Sequence, residues 1–262
     1  MQKEELLLQK RLIELSNLAY QRNITTYSDF LNLNELNILQ VSPKNLFPSG
    51  YETFGGYAYA ERQMVSFLPD AFSCTDRKND AASHDTYHYP IQILKIRPLQ
   101  KKFSDKLTHR DYLGAILNLG TRRNKIGDIV ILENETLVFV HNSIADFIKD
   151  SLSRIKHTSV STELTKQEEV NYTPRYEEIT GTVSSVRLDS LLSLAFPLSR
   201  SKLTGLITGG KVFVGGKLIT TNAYKIKESD IISVRGMGKF MYYGVLSQTK
   251  KGRLYIQIHK YK

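Results

Sequence analysis

The chain has 262 residues, enough for about two domains, with 41% apolar and 24% charged residues, which excludes a disordered or collagen-like chain. No apolar run approaches the ~18 residues of a membrane helix, and Met1-Gln2-Lys3-Glu4-Glu5 carries acid where a secretory signal wants only base, so a cytoplasmic protein without membrane insertion is expected. A single cysteine, Cys74, excludes an intramolecular disulfide and a cysteine-built zinc site.

In chain order, Leu8, Leu12, Leu15 and Ala19 fall at helical spacing, and a second helix is expected after a Ser28-Asp29 cap, running toward Leu39. Pro43 and Pro48-Ser49-Gly50 break it, Phe54-Gly55-Gly56-Tyr57 turns the chain, and 73–89 reads as a polar loop. From Pro90 the pattern becomes regular: a strand over 91–96, a helix over 108–119, strands over 128–133 and 136–140, a helix from an Asn142-Ser143 cap to about Ile155, and a strand over 158–164. That order is a ferredoxin-like, RRM-like split βαβ unit. The polar stretch 166–180 suits a linker. Beyond it lie a short helix on Leu188, Leu191, Leu192 and Ala195, a second helix capped by Ser199 and ending at Gly209, and a hairpin at Gly215-Gly216. Strands are expected over 230–235, 242–247 and 254–259. The expected architecture is α+β: a helical N-terminal region (1–75), a ferredoxin-like domain (76–165), a linker (166–180) and a C-terminal domain (181–262).

The net charge of +10 is unevenly placed. From Gly181 onward 14 Lys/Arg face Asp189, Glu228 and Asp230, whereas residues 1–180 hold 22 basic and 23 acidic residues. A polyanion-binding module on a neutral body is the expectation. A smaller basic stretch runs from Lys95 to Lys125 and includes Arg122, Arg123 and Lys125. Arg200 and Lys202 open a capped helix, where unsatisfied N–H groups and the positive end of the helix dipole already favour phosphate. Cations are unfavourable for such a helix end, so their presence points to a role other than stability.

Arg187-Leu188-Asp189-x-x-Leu192, Leu198-Ser199-Arg200-Ser201-Lys202 and Leu206-Ile207-x-x-Gly210-x-Val212-x-Val214 resemble the S-four (alpha-L) RNA-binding domain. Over nearly the whole chain, Gly55-Gly56-Tyr57 with Glu61-Arg62, His109 to Gly114, Leu119-Gly120-x-x-Arg123, Ile126-Gly127-Asp128-Ile129 and Thr249 to Arg253 are similar to the bacterial YlmH family. That resemblance implies an RNA-binding protein of the large ribosomal subunit, active on obstructed subunits carrying peptidyl-tRNA, with links to cell division. Its expected partners are rRNA, tRNA and the large subunit, with cell-division proteins as a further class and the protein itself a monomer. With no recognisable nucleophile, cofactor or metal motif in the sequence, no cofactor, no metal and no catalysis are expected. The expected RNA-contacting residues are Arg187, Asp189, Ser199, Arg200, Ser201, Lys202, Lys211, Arg235, Lys239, Lys250, Lys251 and Arg253, with Arg122, Arg123 and Lys125 as a secondary basic patch.

Two rivals stand beside this reading: an RNA-modifying enzyme related to pseudouridine synthases, whose catalytic motif Arg187-Leu188-Asp189 resembles, and a cell-division adaptor. In the synthases that motif lies in a separate catalytic domain, whereas here it opens the RNA-binding module. His109-Arg110-Asp111 resembles a kinase catalytic loop, but Ile116 stands where its asparagine belongs. His84 and His88 have i, i+4 spacing but fall in the expected polar loop. The middle sheet lacks an aromatic RNP pattern at 136–140 and is expected to be packed rather than exposed as an RNA platform.

Overall fold

The structure, a computed structural model, describes residues 3–69, 89–100, 104–166, 172 and 174–261. The expected 73–89 loop, with Cys74 and the His84/His88 pair, lies outside these residues except for Tyr89. The chain divides into two units, Met1–Asn171 and Tyr172–Lys262.

The first unit opens with α1 (Lys3–Arg22), whose Leu12, Leu15 and Ala19 are buried at the expected helical spacing. After β1 (Thr26–Tyr27) comes α2 (Leu33–Val41), and the cap differs from expectation. Asn32 caps α2, its Oδ1 accepting from the Asn34 and Glu35 N–H groups while Glu35 accepts from the Asn32 N–H at 2.7 Å. Ser28 instead accepts from the Val65 N–H, and Asp29 is engaged by Asn124 and Lys125. The helical region also contains strands that the sequence reading omits: β2 (Tyr51–Phe54) and β3 (Met64–Phe67) form the sheet β1-β3-β2.

The middle elements are β4 (Ile91–Pro98), α3 (His109–Asn118), β5 (Ile126–Ile131), β6 (Thr136–His141), α4 (Asn142–Ser151), β7 (Arg154–Ile155) and β8 (Thr158–Thr165). Their antiparallel sheet runs β5-β6-β4-β8, with β7 as a small addition on β8. α4 is capped by His141, whose Nδ1 accepts from the Ser143 N–H at 3.1 Å, rather than by Asn142-Ser143. It ends at Ser151, short of Ile155, because Leu152 turns extended and Ile155 is buried in β7. Leu94, Ile96, Val138 and Val140 pack toward the helices. On the other face Phe139 is fully buried under Tyr57, the rings stacked 4.8 Å apart. Gly56, at φ +96°, makes this approach possible: a Cβ there would lie 2.4 Å from Phe139 Cδ1. The sheet face on which an RRM stacks bases is therefore occupied at Phe139 by the protein's own N-terminal segment.

The second unit begins earlier than expected. β9 (Tyr176–Val183) begins inside the stretch read as linker, and it pairs with β14 (Leu254–Tyr261) over eight residues. Pro174, Glu177 and Glu178 have a linker's composition, yet charged residues suit a sheet edge. Gly181 is a packing position, since a Cβ there would meet Leu194 Cδ1 at 2.5 Å. Next come α5 (Leu188–Ala195), α6 (Arg200–Thr208), β10 (Val212–Val214), β11 (Lys217–Leu218), β12 (Ile231–Val234) and β13 (Gly238–Gln248). The sheet order is β11-β10-β12-β13-β14-β9. Leu188, Leu191, Leu192, Leu203 and Ile207 from the two helices form one core with Ile232, Phe240, Tyr242, Ile256 and Ile258 from the sheet. The helices therefore cover one sheet face.

Candidate nucleic-acid interface

The two helices present different N-termini. In α5 the Leu188 and Asp189 N–H groups donate to the carbonyls of Tyr224 and Asn222, so that end is already satisfied by its own loop. In α6, Ser199 accepts from the Lys202 N–H at a long 3.5 Å and its Oγ lies 3.2 Å from Ser201 Oγ. No acidic residue occupies the first turn, and Ser199, Arg200, Ser201 and Lys202 are all exposed. This helix end has electrostatic room for a phosphate.

Beside it is an open groove of about 440 Å3 that brings Arg253, distant in sequence, to Arg187, Asp189 and Arg200, with the hydroxyls of Ser190 and Thr204. Asp189 takes both arms of the Arg187 guanidinium, at 3.1 Å from Nε and 2.5 Å from Nη2, and also accepts from the Ser190 N–H. The Arg187 hydrogen bond holds the Asp189 carboxyl below the usual carboxylate range. In this geometry the carboxylate is a positioning group for the arginine. Arg253 reaches the groove because the turn between β13 and β14 folds back, its Nη2 donating to the Thr182 carbonyl at 3.0 Å.

The remaining expected contacts divide. Lys211 and Arg235 are exposed neighbours, joined by a hydrogen bond from the Arg235 N–H to the Lys211 carbonyl at 2.9 Å. Lys250 and Lys251 are exposed in the Arg253 turn. Lys239 is not brought to the helix side. It alternates with Phe240 of the core, and its Nζ lies 5.6 Å from the Tyr261 ring centroid on the opposite sheet face.

The secondary patch is also revised. Arg122 is exposed, but Arg123 is half-buried and Nη1 donates to the Ile126 carbonyl at 2.5 Å. Burial, and then the neighbouring Arg62, push its guanidinium down to about 10. Lys125 is paired with Asp29 at 2.5 Å. Asp128 accepts from the Tyr57 hydroxyl and from the N–H groups of Glu61 and Arg62. Arg62 in turn donates to the carbonyls of Ile126 and Phe30. The motifs at 55–62 and 126–129 thus meet in a structural lock. Asp111 of the kinase-like triplet closes a capping box with Thr108 and pairs with Lys156 at 2.8 Å.

Sequence reasoning passes over Ser190, Thr204 and Thr182, since isolated hydroxyls carry no pattern. It also misses Lys260, whose Nζ donates to the carbonyl of Ala195 at the end of α5 and lies over the Phe196 ring.

An arginine-lined groove beside an open helix N-terminus, on two helices packed against a sheet, has the chemistry to hold the phosphates of a nucleic acid. Residues 186–232 match the S4 domain model, and residues 85–169 match the model described as "Putative RNA-binding domain in YlmH". The chain resembles the YlmH family over most of its length. It is 28% identical over 251 residues to the Ribosome-associated protein quality control protein P2 of Bacillus subtilis (strain 168), covering 95% of this chain and 93% of that one. Its fold is similar to that of the cell division protein ylmH from Streptococcus pneumoniae, with a TM-score of 0.51, 18% identity, and coverage of 65% of this chain and 96% of that chain. No helix among the described residues is long and apolar enough to cross a membrane.

Proposed function

We propose that this chain binds structured RNA of the large ribosomal subunit without catalysis, and acts on stalled subunits that carry peptidyl-tRNA. The observation that carries the reading is the convergence of Arg187, Arg200 and Arg253 on one groove beside the open N-terminus of α6. Three guanidiniums spaced around hydroxyl groups suit a phosphate backbone, which arginine grips by two parallel hydrogen bonds. The similarity to a ribosome-associated quality control protein supports the ribosome as the source of that RNA. Contacts of this kind fix register and orientation, so recognition rests on RNA shape more than on base sequence. Asp189, held by Arg187, orients a binding group here rather than attacking a base. The test is sedimentation of cell lysate on a sucrose gradient. The protein should migrate with the large subunit and be enriched there when peptidyl-tRNA is trapped. Migration only with soluble protein at the top of the gradient refutes the proposal.

A further inference from the structure

The face of the C-terminal sheet opposite α5 and α6 carries a pile of three rings. Tyr242, Ile256 and Ile258 point into the core, so alternation places Met241, His259 and Tyr261 on the other face. The register adds Glu178 opposite His259 and Tyr176 opposite Tyr261. There the His259 imidazole lies between Tyr176, at 4.2 Å and 9°, and Tyr243, at 4.8 Å and 29°. His259 is 6% exposed, whereas Tyr176 and Tyr243 are 42% and 52% exposed. The inner ring is thus covered and the outer two meet solvent. Tyr243 sits at a register shift in the β13–β14 pairing, an irregularity of the kind that re-aims a side chain.

We propose that this face is a second nucleic-acid site, which takes unpaired bases of a single strand by continuing the pile on Tyr176 and Tyr243. Aromatic rings on a sheet accept any base by its π face, and a nearby cation follows the backbone. Lys239 beside Tyr261 supplies that cation on this face. The unit around it holds 15 Lys/Arg against 5 Asp/Glu over residues 172–262. That excess favours a polyanion over a protein as the occupant, although exposed Val245 and Leu246 follow Tyr243 along β13. Glu178 repels phosphate, so the backbone of a bound strand runs on the Lys239 side. The site is separate from the α5–α6 groove, and Tyr176, Tyr243 and His259 all lie outside the residues that match the S4 domain.

The test uses the full chain, an unstructured 12-nucleotide RNA and a 12-base-pair RNA duplex, with binding read by fluorescence anisotropy at fixed salt. Tyr176→Ala with Tyr243→Ala should weaken single-strand binding by roughly tenfold or more and leave duplex binding within about twofold. Tyr176→Phe with Tyr243→Phe should keep both, because stacking needs the ring and not the hydroxyl. Arg200→Glu with Lys202→Glu should do the reverse, weakening the duplex more than the single strand. If the alanine pair lowers thermal stability, Tyr176→Leu with Tyr243→Leu keeps cover over His259 while removing the π faces, and the same loss is expected. The proposal is overturned by a wild-type chain that does not bind the single strand, by equal losses for both RNAs, or by unchanged RNA binding with loss of a protein partner.

Discussion

Reversing charge at the start of α6 separates an RNA site from a merely basic surface. Arg200 and Lys202 are exposed and make no ion pair among the described residues, so Arg200→Glu with Lys202→Glu removes two cations without breaking the core contacts of Leu203 and Ile207. Acidic groups at a helix N-terminus are favourable by about 0.3–1 kcal/mol each. The melting temperature should therefore hold or rise by a few degrees. Binding should move the other way. Two lost charge-assisted contacts, at about 1.5–3 kcal/mol each, predict a loss of at least about a hundredfold for a structured rRNA fragment. The dependence of log K on log[salt] should flatten by about 1.5. The assay is anisotropy over a salt series, with Lys10→Glu and Arg11→Glu in α1 as a control that changes net charge equally on an exposed surface. If the control costs as much, only global charge matters. If neither pair alters affinity while both melt normally, α6 is not part of the interface.

Asp189→Ala makes the chain more positive by one charge, yet it frees the Arg187 guanidinium from its fixed orientation. RNA affinity should fall by roughly three- to tenfold, and a rise on the same titration would mean that charge outweighs geometry. Lys156 first, and then Thr108, hold the Asp111 carboxyl at about 2 rather than 3.8. A carboxyl depressed in the folded state stabilises above its unfolded value, and that contribution is lost as pH falls through the folded one. Acid unfolding of Asp111→Asn should therefore show a flatter pH dependence than wild type between about pH 4 and pH 2, and parallel curves would refute the assignment. Gly56→Ala should cost at least about 2 kcal/mol in chemical unfolding, from positive φ and the Phe139 ring together. Gly114→Ala, in the interior of α3 with nothing within 4 Å, should instead gain about 0.5–1 kcal/mol; a neutral Gly56 variant would show that Phe139 yields freely.

Periodicity and capping chemistry made α5, α6 and the Gly215-Gly216 hairpin legible, because each depends on residues within a turn or two of one another. The groove was only half legible. Arg187 and Arg200 announce themselves by their place at helix starts, but Arg253 joins them through a turn that folds back onto Thr182, a tertiary event. Strand β9 is hidden in the sequence because an edge strand tolerates the acids that also mark linkers. Alternation did not separate Lys239 from the helix face, since its strand was expected to begin only at Tyr242. Arg123 and Lys125 read as surface charge in the sequence because Asp29, the partner of Lys125, lies far away in the chain, and because a backbone carbonyl such as that of Ile126, which Arg123 meets, carries no sequence signal.

The pairing of β9 with β14 sets a temporal order on the making of this unit. β9 is synthesised first, yet its hydrogen-bonding partner begins at Leu254, 71 residues beyond Val183. Until that strand has been made, Tyr176–Val183 is an unpaired segment, and Gly181 has no Ile256 beside it against which to seat Leu194. The α5–α6 pair and the β10–β12 strands can condense earlier from contacts close in sequence, whereas closing the sheet waits for a loop of high contact order. A nascent chain therefore carries the α5–α6 helices before it carries the ring pile, whose three members come from β9, β13 and β14.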